Sequence, residues 1–153
     1  MLSDTLAGST RLLPSDVQAD ESLSSFVFRP DQVVKRTNSI HHSRLMPRRR
    51  DKKPKGRLET SVCRSQNLTE AQIWEICSSF FDKHAPKPAI GRGVGPAKAV
   101  FAVGLNIDAD GKPYPEHAHI IGWHDPVNVP DSELKHYCRT YARTILSDGF
   151  LSC

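Results

Sequence analysis

Several patterns that assign a chain to a protein class are missing from this sequence. Its four cysteines are scattered and form no Cys-x-x-Cys pair, which argues against a cysteine zinc ribbon and a disulfide-rich secreted scaffold. No apolar run reaches the roughly 18 residues of a transmembrane helix, so we expect no membrane association. The first residues lack the basic and apolar regions of a secretory signal. We therefore expect a cytoplasmic protein with free thiols.

Acidic residues and aromatic rings are scarce in residues 29–57. This segment carries eleven Lys and Arg residues against two acidic residues, a net charge of +9, whereas residues 58–153 carry a net charge of −2. Proline and glycine at its end break regular structure. We interpret residues 1–57 as a flexible basic N-terminal arm, in which the apolar cluster Phe26-Val27-Phe28 is a candidate for a short strand, and residues 58–153 as an α+β domain.

The basic arm is the strongest electrostatic signal in the chain. Basic side chains without balancing acids neutralise phosphates, and counterion release then drives binding. The sequence therefore predicts a small accessory module that engages nucleic acid or a nucleoprotein partner. The candidate binding residues are Arg44, Arg48, Arg49, Arg50, Lys52, Lys53, Lys55 and Arg57. A flexible linker and a subunit that docks on an acidic protein surface stay open as alternatives.

The periodicity of residues 58–153 predicts a β-α-β-β-α order. Leu58 begins an alternating pattern typical of a strand, and Thr69 with Gln72 forms a capping box at the start of a helix. Residues 99–107 are mostly apolar and predict a buried strand, and a second helix begins at Asp131 or Ser132. This order predicts a small antiparallel sheet with two helices on one face.

Two glycine-containing segments are predicted to lie outside the regular elements. Residues 91–95 read Gly-Arg-Gly-Val-Gly and match neither a P-loop nor a dinucleotide fingerprint, so they predict a connecting loop. The stretch from Asn106 to Gly111 resembles the opening of a calcium-binding loop, but His117 stands where that loop requires a glutamate. A polar hairpin turn is therefore predicted there.

Three histidines lie within residues 116–125, in a stretch apolar enough to predict a strand. His117 and His119 then point to one face, because side chains alternate along a strand. Two imidazoles so placed can bind a divalent metal with a third ligand, move a proton, contact a phosphate or simply pack in the core. His124, Asp125 and Glu59 are candidates for the third ligand, and we predict a metal site of His117, His119 and His124.

The sequence His117-Ala118-His119 resembles the His-hydrophobic-His strand of the HUH endonucleases, which nick single-stranded DNA. Tyr137 and Tyr141 lie four residues apart on the second predicted helix, as in the two-tyrosine members of that family. The resemblance implies that the histidines hold a divalent metal that polarises a phosphate. It also implies that Tyr137 or Tyr141 is the covalent nucleophile. A metal-dependent phosphodiesterase or nicking enzyme is therefore the alternative function.

Overall fold

A computed structural model of the chain describes residues 16–49, 58–81, 89–123, 131–146 and 150–152. In chain order the strands are β1 (Ser22–Val27), β2 (Val33–Val34), β3 (Ser39–Ile40), β4 (Arg48–Arg49), β5 (Leu58–Arg64), β6 (Gly91–Pro96), β7 (Asn106–Asp108), β8 (His117–Ile121) and β9 (Phe150–Ser152). The α-helices are α1 (Glu70–Ile76), α2 (Ala97–Ala102) and α3 (Asp131–Leu146). None of the helices in these ranges is long and apolar enough to cross a membrane.

The fold is mixed α+β around one antiparallel sheet. Its strands follow the order β7-β8-β5-β1-β6-β9, and the short strand β4 also pairs with β5. Strands β2 and β3 form a separate two-stranded hairpin. The α+β prediction is therefore confirmed, while the strand order is more complex than the β-α-β-β-α sequence pattern indicated.

Helix α1 begins where the capping-box pattern predicted. The Thr69 Oγ1 atom accepts a hydrogen bond from the Gln72 N–H at 3.2 Å, and Gln72 Oε1 accepts one from the Thr69 N–H at 2.9 Å. These bonds satisfy two backbone donors that the first turn of a helix leaves without partners. A π-helical turn, Cys77–Phe81, continues α1. The predicted strand from Leu58, the histidine strand and the second helix are also confirmed as β5, β8 and α3.

The chain between residues 91 and 108 differs from prediction. The predicted loop is strand β6, and the predicted strand at residues 99–107 is helix α2 followed by β7. A short apolar run does not distinguish a strand from a buried helix, and here the helix ends before Gly104, whose φ of +85° suits a helix terminus. Position 93 of β6 favours glycine, because a Cβ atom there would lie 2.5 Å from Ile40 Cδ1.

Strand β1 comes from the segment that we predicted to be a flexible arm. It lies between β5 and β6, and it pairs with β6 from Ser22 opposite Pro96 to Val27 opposite Gly91. Residues 22–27 therefore belong to the sheet, and the candidate strand at Phe26-Val27-Phe28 is the end of a longer strand that begins at Ser22. The stretch has few apolar residues, but Phe26 and Val27 are almost fully buried, and sheet pairing satisfies the backbone of the serines.

Buried apolar residues form two clusters on opposite faces of the sheet, as the alternation of Val62 and Cys63 along β5 shows. Helices α2 and α3 pack on the Val62 face, and α1 packs on the Cys63 face. The two predicted helices thus lie on opposite faces, and the prediction of one shared face is wrong. Because β1 and β5 bear apolar residues on both faces, the apolar side of a helix can pack on either face of the sheet. Cys63, Cys77 and Cys138 are buried and form no disulfide bond.

Candidate metal centre

Strand β8 presents two histidines to the face of the sheet that α1 covers. In the antiparallel register His117 lies opposite Cys63, and His119 lies between Ser61 of β5 and Asp108 of β7. Residues paired in this way project their side chains to the same face. The imidazole ring centroids are 4.4 Å apart, with the rings edge to face. The predicted common face of the two histidines is confirmed.

The turn between β7 and β8 brings a carboxylate onto this pair. Gly111, at a φ of +65°, reverses the chain, and its N–H donates to the His117 carbonyl at 3.2 Å. This turn places Asp110 over the strand that follows it. Its Oδ1 atom lies 2.8 Å from His117 Nδ1, and its Oδ2 atom lies 2.9 Å from His119 Nδ1. One carboxylate therefore contacts both imidazoles.

Asp110, His117 and His119 together form a set of potential metal ligands. One ligand atom from each of the three residues lies within 4.8 Å of the other two. Two histidines and one carboxylate on one side of an ion leave further coordination positions open, as in mononuclear catalytic metal sites. The His117 side chain is only 6% exposed, whereas those of His119 and Asp110 are 16% and 24% exposed. The set is shielded on one side and open to solvent on the other.

The environment keeps Asp110 in its ionised form. Burial acts to raise the pKa of this carboxyl, but the hydrogen bond and charge of His117, the Lys112 N–H and the charge of His119 outweigh burial and lower the pKa. The ionised carboxylate is the form of Asp110 that can act as a metal ligand.

Aromatic rings cover the buried side of the metal-ligand set. Tyr114 packs edge to face on His117 with centroids 5.4 Å apart, and Phe80 of the π-helical turn packs on Tyr114 at 4.8 Å. Burial, with the neighbouring Cys63 and Glu116, raises the pKa of Tyr114, so its phenol stays neutral. These rings restrict water and fix the orientation of His117.

The candidate tyrosine nucleophiles are not brought to the histidines. Tyr137 and Tyr141 lie on α3, whose apolar stripe packs on the opposite face of the sheet, and Tyr141 contacts Trp123 with ring centroids 6.4 Å apart. Burial and a hydrogen bond to Tyr141 raise the pKa of Tyr137 to about 12, which disfavours its phenolate. In this arrangement neither tyrosine can attack a group held at the histidines.

Few of the predicted nucleic-acid-binding residues fall within the described residues. Arg44 lies in the 3₁₀ turn His42–Leu45, and its Nε–H donates to the carbonyl oxygen of Phe26, which ties the turn to β1. Arg48 and Arg49 form β4, with Arg48 opposite Glu59 of β5. The other candidates lie outside the described residues: Arg50, Lys52, Lys53, Lys55, Arg57 and the predicted metal ligand His124.

Asp110 is the ligand that sequence reasoning missed. Residues 106–111 were interpreted as a polar hairpin turn; in the structure Asn106–Asp108 is strand β7, and the loop that joins it to β8 directs the Asp110 carboxylate onto the histidines. The available signal was the short distance in sequence between an Asp-Gly turn and a His-x-His strand. Glu59, predicted as a possible third ligand, lies close by, with its Oε1 atom 3.6 Å from His119 Nε2.

Comparisons of the chain with protein-family models, with curated proteins and with solved structures gave no match. The function is therefore inferred from the geometry and chemistry of the site.

Proposed function

We propose that this protein binds a divalent transition-metal ion through Asp110, His117 and His119. The observation that supports this is the convergence of one carboxylate and two imidazoles within 4.8 Å, with Asp110 in the loop between β7 and β8 and both histidines on β8. Nitrogen and oxygen ligands of this kind suit Zn²⁺, Fe²⁺ or Mn²⁺. The aromatic wall and the lowered pKa of Asp110 both favour a charged, preorganised site.

We further propose that the bound ion acts as a Lewis acid in the hydrolysis of a phosphate diester. A divalent ion held by Asp110, His117 and His119 would polarise a phosphoryl oxygen and make a nearby water more acidic. The attacking water oxygen forms a bond to phosphorus, the ester P–O bond breaks, and the leaving oxygen takes a proton. Because the α3 tyrosines lie on the far face, water is the nucleophile that this geometry favours over the tyrosine of the HUH resemblance.

Metal binding by the purified full chain tests the first proposal. After chelation, calorimetric titration with Zn²⁺ or Mn²⁺ is expected to give one bound ion per chain. The variants Asp110→Asn, His117→Ala and His119→Ala are expected to lose binding, whereas His136→Ala, which removes an exposed histidine on α3, keeps it. Equal binding by all these variants, or no binding by the parent, overturns the proposal.

Activity is tested on an activated phosphate diester such as bis(p-nitrophenyl) phosphate. The parent chain with metal is expected to hydrolyse it, and Tyr137→Phe is expected to retain that rate. If hydrolysis requires Tyr137 but neither histidine, the water mechanism is wrong.

Nucleic-acid binding through the basic segment is a second candidate, supported by one placement in the structure. Residues 29–57 carry a net charge of +9, and β4 within this segment pairs with β5 so that Arg48 lies opposite Glu59, whose Oε1 atom is 3.6 Å from His119 Nε2. A segment of this charge could hold a phosphate backbone near the site. This placement favours nucleic acid as the source of the diester.

The salt dependence of binding tests this second candidate. The affinity for a single-stranded oligonucleotide is expected to fall steeply with salt, with a slope that decreases by about 0.7 for each phosphate contact removed. The salt dependence is expected to become flatter when five basic residues are neutralised together: Arg48, Arg49, Arg50, Lys52 and Lys53. A flat salt response in the parent contradicts nucleic-acid binding.

A further inference from the structure

Strand β5 contacts the ring nitrogens of both histidines that point away from Asp110. Ser61 Oγ lies 2.7 Å from His117 Nε2, and Glu59 Oε1 lies 3.6 Å from His119 Nε2. Ser61 and Glu59 are two residues apart on one strand, so both project to the histidine face of the sheet. Each imidazole therefore has Asp110 at one nitrogen and an oxygen group of β5 at the other.

The chemistry of these oxygen groups determines which nitrogen is available to a metal. A neutral imidazole carries one N–H, and only its other nitrogen can act as a ligand. An ionised carboxylate accepts hydrogen bonds but cannot donate one, so Glu59 favours the proton on His119 Nε2. The Ser61 hydroxyl can accept the corresponding N–H of His117. Nδ1 of each ring faces an oxygen of Asp110, so a bound ion would take the place of the proton that His117 Nδ1 donates to this carboxylate.

We propose that Ser61 and Glu59 are positioning residues that make both histidines coordinate the metal through Nδ1. This inference rests on the proposed metal site. Metal-binding histidines usually donate their second N–H to an oxygen group, which fixes the tautomer and the ring orientation. The Glu59 side chain is only 11% exposed, so its charge acts on His119 with little screening by water. Side chains of β5 thus determine which ring nitrogen of each β8 histidine binds the metal.

Nitrogen-15 NMR of the histidine rings tests the ligand atoms in the unmutated full chain loaded with Zn²⁺. His117 and His119 are expected to show a protonated Nε2 and a metal-bound Nδ1, assigned from the pattern of couplings to the ring protons. His136 serves as an internal control that does not respond to Zn²⁺. Coordination of either site histidine through Nε2 overturns the proposal, even if Zn²⁺ binds tightly.

Zn²⁺ affinity tests the role of the two positioning residues. Glu59→Gln and Ser61→Ala are each expected to weaken binding by about 10- to 100-fold while still binding one ion. The matched controls Glu75→Gln and Ser78→Ala change exposed residues and are expected to bind as the parent does.

Circular dichroism establishes that each variant is folded. Unchanged affinity in both Glu59→Gln and Ser61→Ala contradicts positioning. Absence of Zn²⁺ binding in the parent instead contradicts the metal site itself, so the two failures are distinguishable.

Discussion

A buried ion pair joins the N-terminal strand to the centre of the sheet, and its removal is expected to destabilise the whole fold. The Arg64 side chain is 3% exposed and that of Glu21 is 8% exposed. Arg64 donates to both carboxylate oxygens of Glu21, at 2.9 and 2.8 Å, and the Gln18 N–H donates to Glu21 Oε2 at 2.7 Å. This bidentate geometry anchors the residues just before β1 to the end of β5.

The expected loss of unfolding free energy follows from the change that Glu21→Gln makes to the ion pair. The substitution keeps the shape of the side chain but replaces the carboxylate that the buried Arg64 guanidinium contacts with a neutral amide. Removing one partner of a buried pair costs about 3–5 kcal/mol of unfolding free energy. For a chain of this size each kcal/mol lowers the melting temperature by about 2–4 °C. We therefore expect Glu21→Gln to melt about 6–20 °C below the parent.

Thermal unfolding followed by far-ultraviolet circular dichroism measures this effect. The control is Asp31→Asn, which disrupts the exposed pair of Arg29 and Asp31, whose side chains are 62% and 70% exposed. That substitution is expected to cost less than about 1 kcal/mol, because water screens exposed pairs. If Glu21→Gln melts no lower than Asp31→Asn, the reasoning is refuted. Replacing Glu21 and Arg64 together by apolar residues is expected to recover part of the loss.

Three further outcomes are expected. The hydrogen bonds and charge of Arg64 and the Gln18 N–H outweigh burial and lower the pKa of Glu21, so its stabilisation is complete above the ordinary value of 4.5 and is lost as pH falls through the folded pKa. Urea titrations should therefore show the parent and Glu21→Gln converging in stability at acidic pH. Zn²⁺ at 100 times its dissociation constant is expected to stabilise the parent by about 2.7 kcal/mol, raising its melting temperature by about 5–11 °C, but not that of Asp110→Asn. Gly93→Ala should cost about 1–3 kcal/mol in urea unfolding by crowding Ile40, and the added substitution Ile40→Val should recover part of it.

Local sequence signals predicted the elements whose stability is mostly local. The capping box of Thr69 and Gln72, the start of the second helix at Asp131 and the alternation of β5 each depend on neighbouring residues, and each is confirmed. Strand β1 could not be predicted in this way, because its serines become strand residues only through pairing with β5 and β6. Apolar periodicity also does not predict which face of the sheet each helix covers, because it shows only which side of the helix is buried.

The sequence predicted the two histidines of the candidate site but not its carboxylate. Strand alternation alone placed His117 and His119 on one face, which is a property of any extended chain. The third ligand depended on how a turn folds back over its strand, and Asp110 lies close to both rings only because β7 and β8 form a hairpin. The opposite placement of α3 depended on long-range packing. It separated the tyrosines from the histidines.

The central position of β1 has a consequence for how the chain behaves when this strand is missing. Strands β7, β8 and β5 would form one part of the sheet and β6 and β9 another, each with an unpaired edge where β1 had been. Open edges of this kind recruit strands from other chains and lead to aggregation. The vacancy has the length and register of residues 22–27, so the same strand of a second copy fits it. Exchange of β1 between copies would therefore convert monomers into domain-swapped dimers without any new interface.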